Sequence, residues 1–118
     1  MSEDYTLLPG DRTIPDGADF CIVMDSDCME PYLHEGEKVF VSCSSPAELE
    51  IGLFRYMGKV YIRQWCEDYA GTLHLLCSNP KREDMNLTIG RDKKNRCLCL
   101  GRVLYAGKLS MPIYSPGK

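Results

Sequence analysis

Turn-forming residues interrupt this chain at short intervals, and the apolar residues between them alternate or run for only a few positions without holding a helical period. That pattern constrains the chain to an all-β domain. Phe20-Cys21-Ile22-Val23-Met24 is a short apolar run bounded by acidic residues, as a buried strand requires. Residues 38–42 alternate and read as the next strand. Residues 51–56 and 59–65 flank Met57-Gly58, a hairpin turn in which Gly supplies a positive φ. Strands at 72–77, 86–89 and 96–105 follow, separated by Ala70-Gly71, Asn79-Pro80 and the charged turn Arg91-Asp92-Lys93-Lys94-Asn95. Six or seven such strands predict a compact β-barrel or sandwich.

With 118 residues, 44% of them hydrophobic, the chain suits one domain. Residues 1–17 carry Pro9-Gly10, Pro15 and Asp16-Gly17 and read as an arm or linker; 18–109 form the domain and 110–118 a tail. A formal charge of -3 gives no electrostatic footprint for duplex DNA. No apolar run is long enough to cross a bilayer, and the polar start lacks the features of a signal peptide, so a cytoplasmic protein without a membrane partner is expected. Seven cysteines, an odd number without a Cys-x-x-Cys pair, read as reduced thiols rather than a disulfide framework.

The first apolar run leads into Asp25-Ser26-Asp27-Cys28-Met29-Glu30-Pro31-Tyr32-Leu33, in which Met29–Leu33 could make a single helical turn. After it comes His34-Glu35-Gly36-Glu37-Lys38-Val39-Phe40-Val41, then Gly58-Lys59-Val60-Tyr61-Ile62-Arg63-Gln64-Trp65, Leu75-Leu76-Cys77-Ser78-Asn79-Pro80 and Gly101-Arg102-Val103-Leu104. These segments resemble, in order, the nucleophile motif Gly-Asp-Ser-Met-x-Pro, the following strand, the general-base strand, the Asn-Pro turn and the final strand of the LexA and UmuD self-cleaving peptidases. Asp27, Met29 and Pro31 match that motif as they stand. Ser26 replaces its Gly, Cys28 its Ser nucleophile, and Arg63 the Lys base. The resemblance, from about Ala18 to Gly107, implies a twisted, mostly antiparallel β-domain of the LexA C-terminal and signal-peptidase type. It also implies a homodimer in which two strands bring nucleophile and base together.

The chemistry at those two positions is altered. A neutral Lys can take a proton from Ser, whereas a guanidinium stays protonated and offers no lone pair, so Arg63 cannot be a general base. Cysteine relaxes the requirement, because a cation can hold it as a thiolate. Cleavage still needs an acid for the leaving amine, which Arg supplies poorly. His34 and His74 are the only substitutes for the base; the simpler reading is a solvated turn His and a strand-surface His.

Other groupings have plain explanations. Cys97-Leu98-Cys99 puts two thiols on one strand face without further ligands at metal-binding spacing, so buried thiols are expected and neither metal nor cofactor. Lys81-Arg82-Glu83-Asp84 and the run from Arg91 to Arg96 mix signs and read as solvated turns. Asp25 and Asp27 suit hydrogen bonds to turn amides. By alternation Arg63 shares a strand face with Tyr61 and Trp65; Trp65, Tyr61, Met57 and Met111 could line a self-complementary patch, or Trp65 could cap the core.

The resemblance thus points to a dimerising regulatory domain of a phage-type repressor with a degenerate site. It would reach DNA only through an upstream helix-turn-helix domain outside this chain, with an antirepressor or a RecA filament as candidate partners. The rival readings are a self-processing peptidase with Cys28 as nucleophile and a thiol switch built on an exposed Cys28.

Overall fold

The computed structural model describes residues 16–105. It contains seven strands: β1 (Phe20–Val23), β2 (Lys38–Ser42), β3 (Ile51–Tyr56), β4 (Lys59–Glu67), β5 (Leu73–Leu76), β6 (Leu87–Ile89) and β7 (Leu98–Val103). They form one sheet in the order β1-β2-β7-β3-β4-β5-β6, and every pairing is antiparallel. The all-β expectation holds, and each predicted strand lies within one to three residues of an observed one. The two charged runs, expected as turns, wind into short 3-10 segments, Pro80–Met85 and Arg91–Arg96, none of whose residues is buried. The arm up to residue 15 and the tail from residue 106 lie outside the described residues.

Local chemistry accounts for the central hairpin. Met57 and Gly58 both have positive φ, 51° and 79°, the pair of left-handed conformations that a two-residue turn with a matching twist needs. The β3 and β4 strands then pair in register from Tyr56–Lys59 to Ile51–Gln64.

The strand β7 enters between β2 and β3, and its register with β3 shifts between Leu53 and Phe54. At Gly101 the backbone of β2 comes so close that a Cβ would sit 2.5 Å from both the Ser42 carbonyl oxygen and Val41 Cγ1. Glycine is thus required there by space.

Apolar residues meet in two clusters. The larger joins Met24, Cys28, Met29 and Leu33 from the loop after β1 to Val39, Val41, Ile51, Leu53, Ile62, Cys77 and Val103. The smaller gathers Phe54, Leu73, Leu75 and Ile89 at the far end of the sheet. Burying a side chain such as Met24 or Met29 contributes about 1.5–3 kcal/mol. The motif loop is therefore held by hydrophobic anchors on both sides of Cys28.

Candidate functional site

The motif loop is closed at its base by two backbone bonds, Met24 N to Glu37 O and Gly36 N to Met24 O, each 2.8 Å. Inside it the amides of Tyr32 and Leu33 both donate to Met29 O, at 2.9 and 3.0 Å, which gives the single helix-like turn expected of Met29–Leu33. Within that turn the Glu30–Pro31 peptide is cis. Met29 and Cys28 both point into the core with no exposed surface.

A second turn, after β5, staples this loop. Asn79 donates its backbone N–H to Cys28 O at 3.0 Å and its side-chain Nδ2 to Asp27 O at 2.8 Å, while its Oδ1 accepts from Lys81 N. Ser78 Oγ donates to Glu30 O, and Cys77 N donates to Asn86 Oδ1. Arg82 reaches back to Asp27, with Nε at 2.8 Å from Oδ1 and Nη2 at 3.1 Å from Oδ2. The expectation that Asp27 mainly serves turn amides is corrected here. Its carboxyl lies below the usual range chiefly because of the Arg82 guanidinium, with its own amide a smaller contributor.

Arg63 lies in the middle of β4 and is 4% exposed. Its Nη1 donates to Cys28 Sγ at 3.0 Å and to Ile62 O at 2.8 Å, and Nη2 donates to Met85 O at 3.4 Å. Its carbon Cζ sits 5.3 Å from the centre of the Tyr61 ring, the shared strand face that alternation predicted. The buried Nε has no hydrogen-bond partner among the described residues. Beside this guanidinium opens a groove of about 460 Å³ lined by Asp25, Ser26, Lys59, Val60, Tyr61, Arg63 and Met85. The two residues 35 apart in sequence thus meet in space.

The electrostatics follow from this geometry. The Cys28 thiol is pulled from 9.0 to about 6, first by hydrogen bonding from the Cys77 thiol, then by the Ser26 hydroxyl and the Arg63 charge; burial and Asp25 oppose the shift. The Cys77 thiol moves the opposite way, because it is the donor to Cys28 and is itself buried. The Arg63 Nη1 contact of 3.0 Å favours the anion on Cys28 rather than on Cys77. An anionic sulfur beside a fixed cation is a nucleophile in waiting, but the cation that touches it, Arg63, neither takes up a proton nor readily gives one.

Three other expectations are corrected by the packing. Cys28 was expected at the surface under the thiol-switch reading and is instead enclosed by the core, whereas Cys43 and Cys99 are the exposed thiols. Cys97 is half-buried and Cys99 exposed, so they are not a buried pair. His74 is 8% exposed and pairs with Asp68 Oδ2 at 3.0 Å, in a strand whose four residues are all buried. His34 is exposed beside Glu30, 3.6 Å away.

Trp65 does not share an exposed patch with Met57. It lines a groove of about 250 Å³ with Phe54, Leu73 and Cys97, packed against the smaller cluster as the core-capping reading proposed. Met111 lies outside the described residues. Among the described residues there is no grouping of three or more metal-ligating side chains.

Asn79 and Cys77 belong to a turn the sequence had matched, but their contact with Cys28 was not read from it. The partnership of Arg82 with Asp27 had no sequence signal at all.

No curated protein matches the chain. The Peptidase S24-like family profile, however, matches residues 2–104. That match spans the motif loop, the strand carrying Arg63 and the stapling turn, and it agrees with the antiparallel β-architecture. The chain therefore belongs to the Peptidase S24-like family.

Proposed function

We propose that this domain is a non-cleaving, dimer-forming regulatory module of a phage-type transcriptional repressor. The observation that carries this reading is the Arg63–Cys28 contact of 3.0 Å: a group with no lone pair fills the place next to the nucleophile that a base must occupy. The complete burial of Cys28 adds that no peptide reaches its sulfur in this conformation.

Without cleavage, the value of the fold to a repressor is assembly. Two copies would hold two upstream helix-turn-helix units together, so that the second half-site contact becomes effectively intramolecular. Leu98 and Val60 flank Arg55 across β7, β3 and β4 and all three are exposed; two apolar side chains around a guanidinium supply a patch for a second copy. Release from DNA would then depend on an antirepressor protein or a separate protease.

A Cys28 peptidase is the rival that the depressed thiol favours, since a thiolate needs no base to attack. Intact-mass analysis of the natural full-length protein at neutral and alkaline pH, with and without activated RecA filament, separates the two. The repressor reading expects unchanged mass throughout. Fragments that form in the wild type and vanish in Cys28→Ala would overturn it.

A further inference from the structure

Cys28 and Cys77 come from turns 49 positions apart in the sequence, yet both lie in the same buried cluster, with Asn79 N bonded to Cys28 O at 3.0 Å to hold the turns together. Each thiol is among the groups that shift the other's protonation, and both side chains sit in that one cluster. Arg63 touches the same sulfur through Nη1 and keeps a second donor, Nε, buried without a partner among the described residues. This guanidinium also forms part of the wall of the 460 Å³ groove. A donor left unpaired in a nine-tenths-buried side chain signals a small acceptor that it could serve.

We propose that Cys28 and Cys77 form a redox-active dithiol that hydrogen peroxide, entering from the Arg63 groove, converts to an internal disulfide. In the first step the Cys28 thiolate attacks one peroxide oxygen. The sulfur–oxygen bond forms, the oxygen–oxygen bond breaks, and the leaving hydroxide takes a proton to become water. The Arg63 guanidinium hydrogen-bonds the peroxide and stabilises the charge as it moves from sulfur to the leaving oxygen. In the second step the Cys77 sulfur attacks the Cys28 sulfenic acid; the sulfur–sulfur bond forms, and the departing hydroxyl leaves as water with the Cys77 proton. Two thiols are oxidised by two electrons and one peroxide is reduced to two waters. A dithiol reductant reverses the change by exchange.

Such a reaction would alter the domain where it is most tightly tied. The new bond would link the motif loop to the stapling turn and remove the thiolate that Arg63 faces. Bulky reagents are excluded by the burial of both sulfurs, so the site selects by size as well as by nucleophilicity.

The full chain, reduced and then exposed to hydrogen peroxide, tests this by intact mass and peptide mapping after denaturing alkylation. The expected product has lost two hydrogens, joins the Cys28 and Cys77 peptides, and is restored by dithiothreitol. In Cys77→Ala the reaction should stop with one oxygen added at Cys28, trapped by dimedone. Arg63→Gln should oxidise about twofold more slowly at pH 7, as the smaller thiolate fraction of a thiol raised by about one unit from about 6 requires. The proposal is overturned if peroxide consumes Cys43 or Cys99 while Cys28 and Cys77 remain alkylatable, or if the linkage joins any other pair.

Discussion

Replacing Arg63 by Gln removes the charge from Cys28 while keeping a side chain of hydrogen-bonding character at the centre of β4. The native thiol stands about three units below 9.0, a difference of about 4 kcal/mol between its two protonation states. That sum is shared by the Cys77 thiol, the Ser26 hydroxyl and Arg63, working against burial and Asp25. The two hydrogen-bond donors contribute more than the Arg63 charge, which is the smallest of the three lowering influences. Loss of the cation should therefore raise the Cys28 midpoint above about 6 while leaving it below 9.0, because the two hydrogen-bond donors remain. Thiolate ultraviolet absorbance against pH, taken as the difference from Cys28→Ser in each background, reads this without requiring access to the buried sulfur.

Stability must follow the same titration. Between about 6 and 9.0 the unfolded chain binds the Cys28 proton and the folded chain does not, so unfolding free energy gains from this group as pH rises through the window. The contribution is lost as pH falls through about 6, and it is at most about 4 kcal/mol. Above 9.0 the raised Cys77 thiol works in the opposite direction, because the unfolded chain then releases a proton that the folded chain keeps. The wild type minus Cys28→Ser difference in urea unfolding should therefore grow between pH 6 and 9 and level off or decline beyond. A Cys28 midpoint that stays near 6 in Arg63→Gln would refute the role assigned to the guanidinium.

Asn79→Ala removes two side-chain hydrogen bonds from a nearly buried staple and should cost about 1–3 kcal/mol by denaturant unfolding. Gly101→Ala places a methyl group 2.5 Å from the β2 backbone and should cost at least about 1–3 kcal/mol, seen as a Tm drop of about 4–8 °C for each kcal/mol. Leu98→Lys, on the exposed patch, should leave the melting temperature nearly unchanged while shifting sedimentation from dimer to monomer. A variant that stays dimeric would move the interface elsewhere. The Asp68 carboxyl is held below 3.8 mainly by its hydrogen bond to His74, so its contribution to stability persists above that value and disappears as pH falls through the depressed one. Acid unfolding of Asp68→Asn should accordingly converge with wild type at the acid end.

Much of the architecture was legible in the sequence because strand alternation and turn chemistry are local. The β2 and β3 bounds follow directly from alternation and turn residues, and Met57-Gly58 marks a hairpin whose geometry only positive φ allows. The pairing of Cys28 with Arg63 was legible through resemblance alone, since nothing local to either residue names the other. Alternation also put Arg63 on the face of Tyr61, where the ring contact is found.

Tertiary structure decided the rest. Periodicity reports which face of its own strand a residue occupies, but not what covers that face. His74 lies in a strand whose four residues are all buried, and Cys28 in a loop anchored by Met24, Met29 and Leu33, neither of which alternation reports. The Asp27–Arg82 ion pair, and the cluster that holds both Cys28 and Cys77, join groups about half the chain apart. Which residue types the site contains was set by the sequence; which sulfur is the anion depended on donors brought together only when the sheet closed over them.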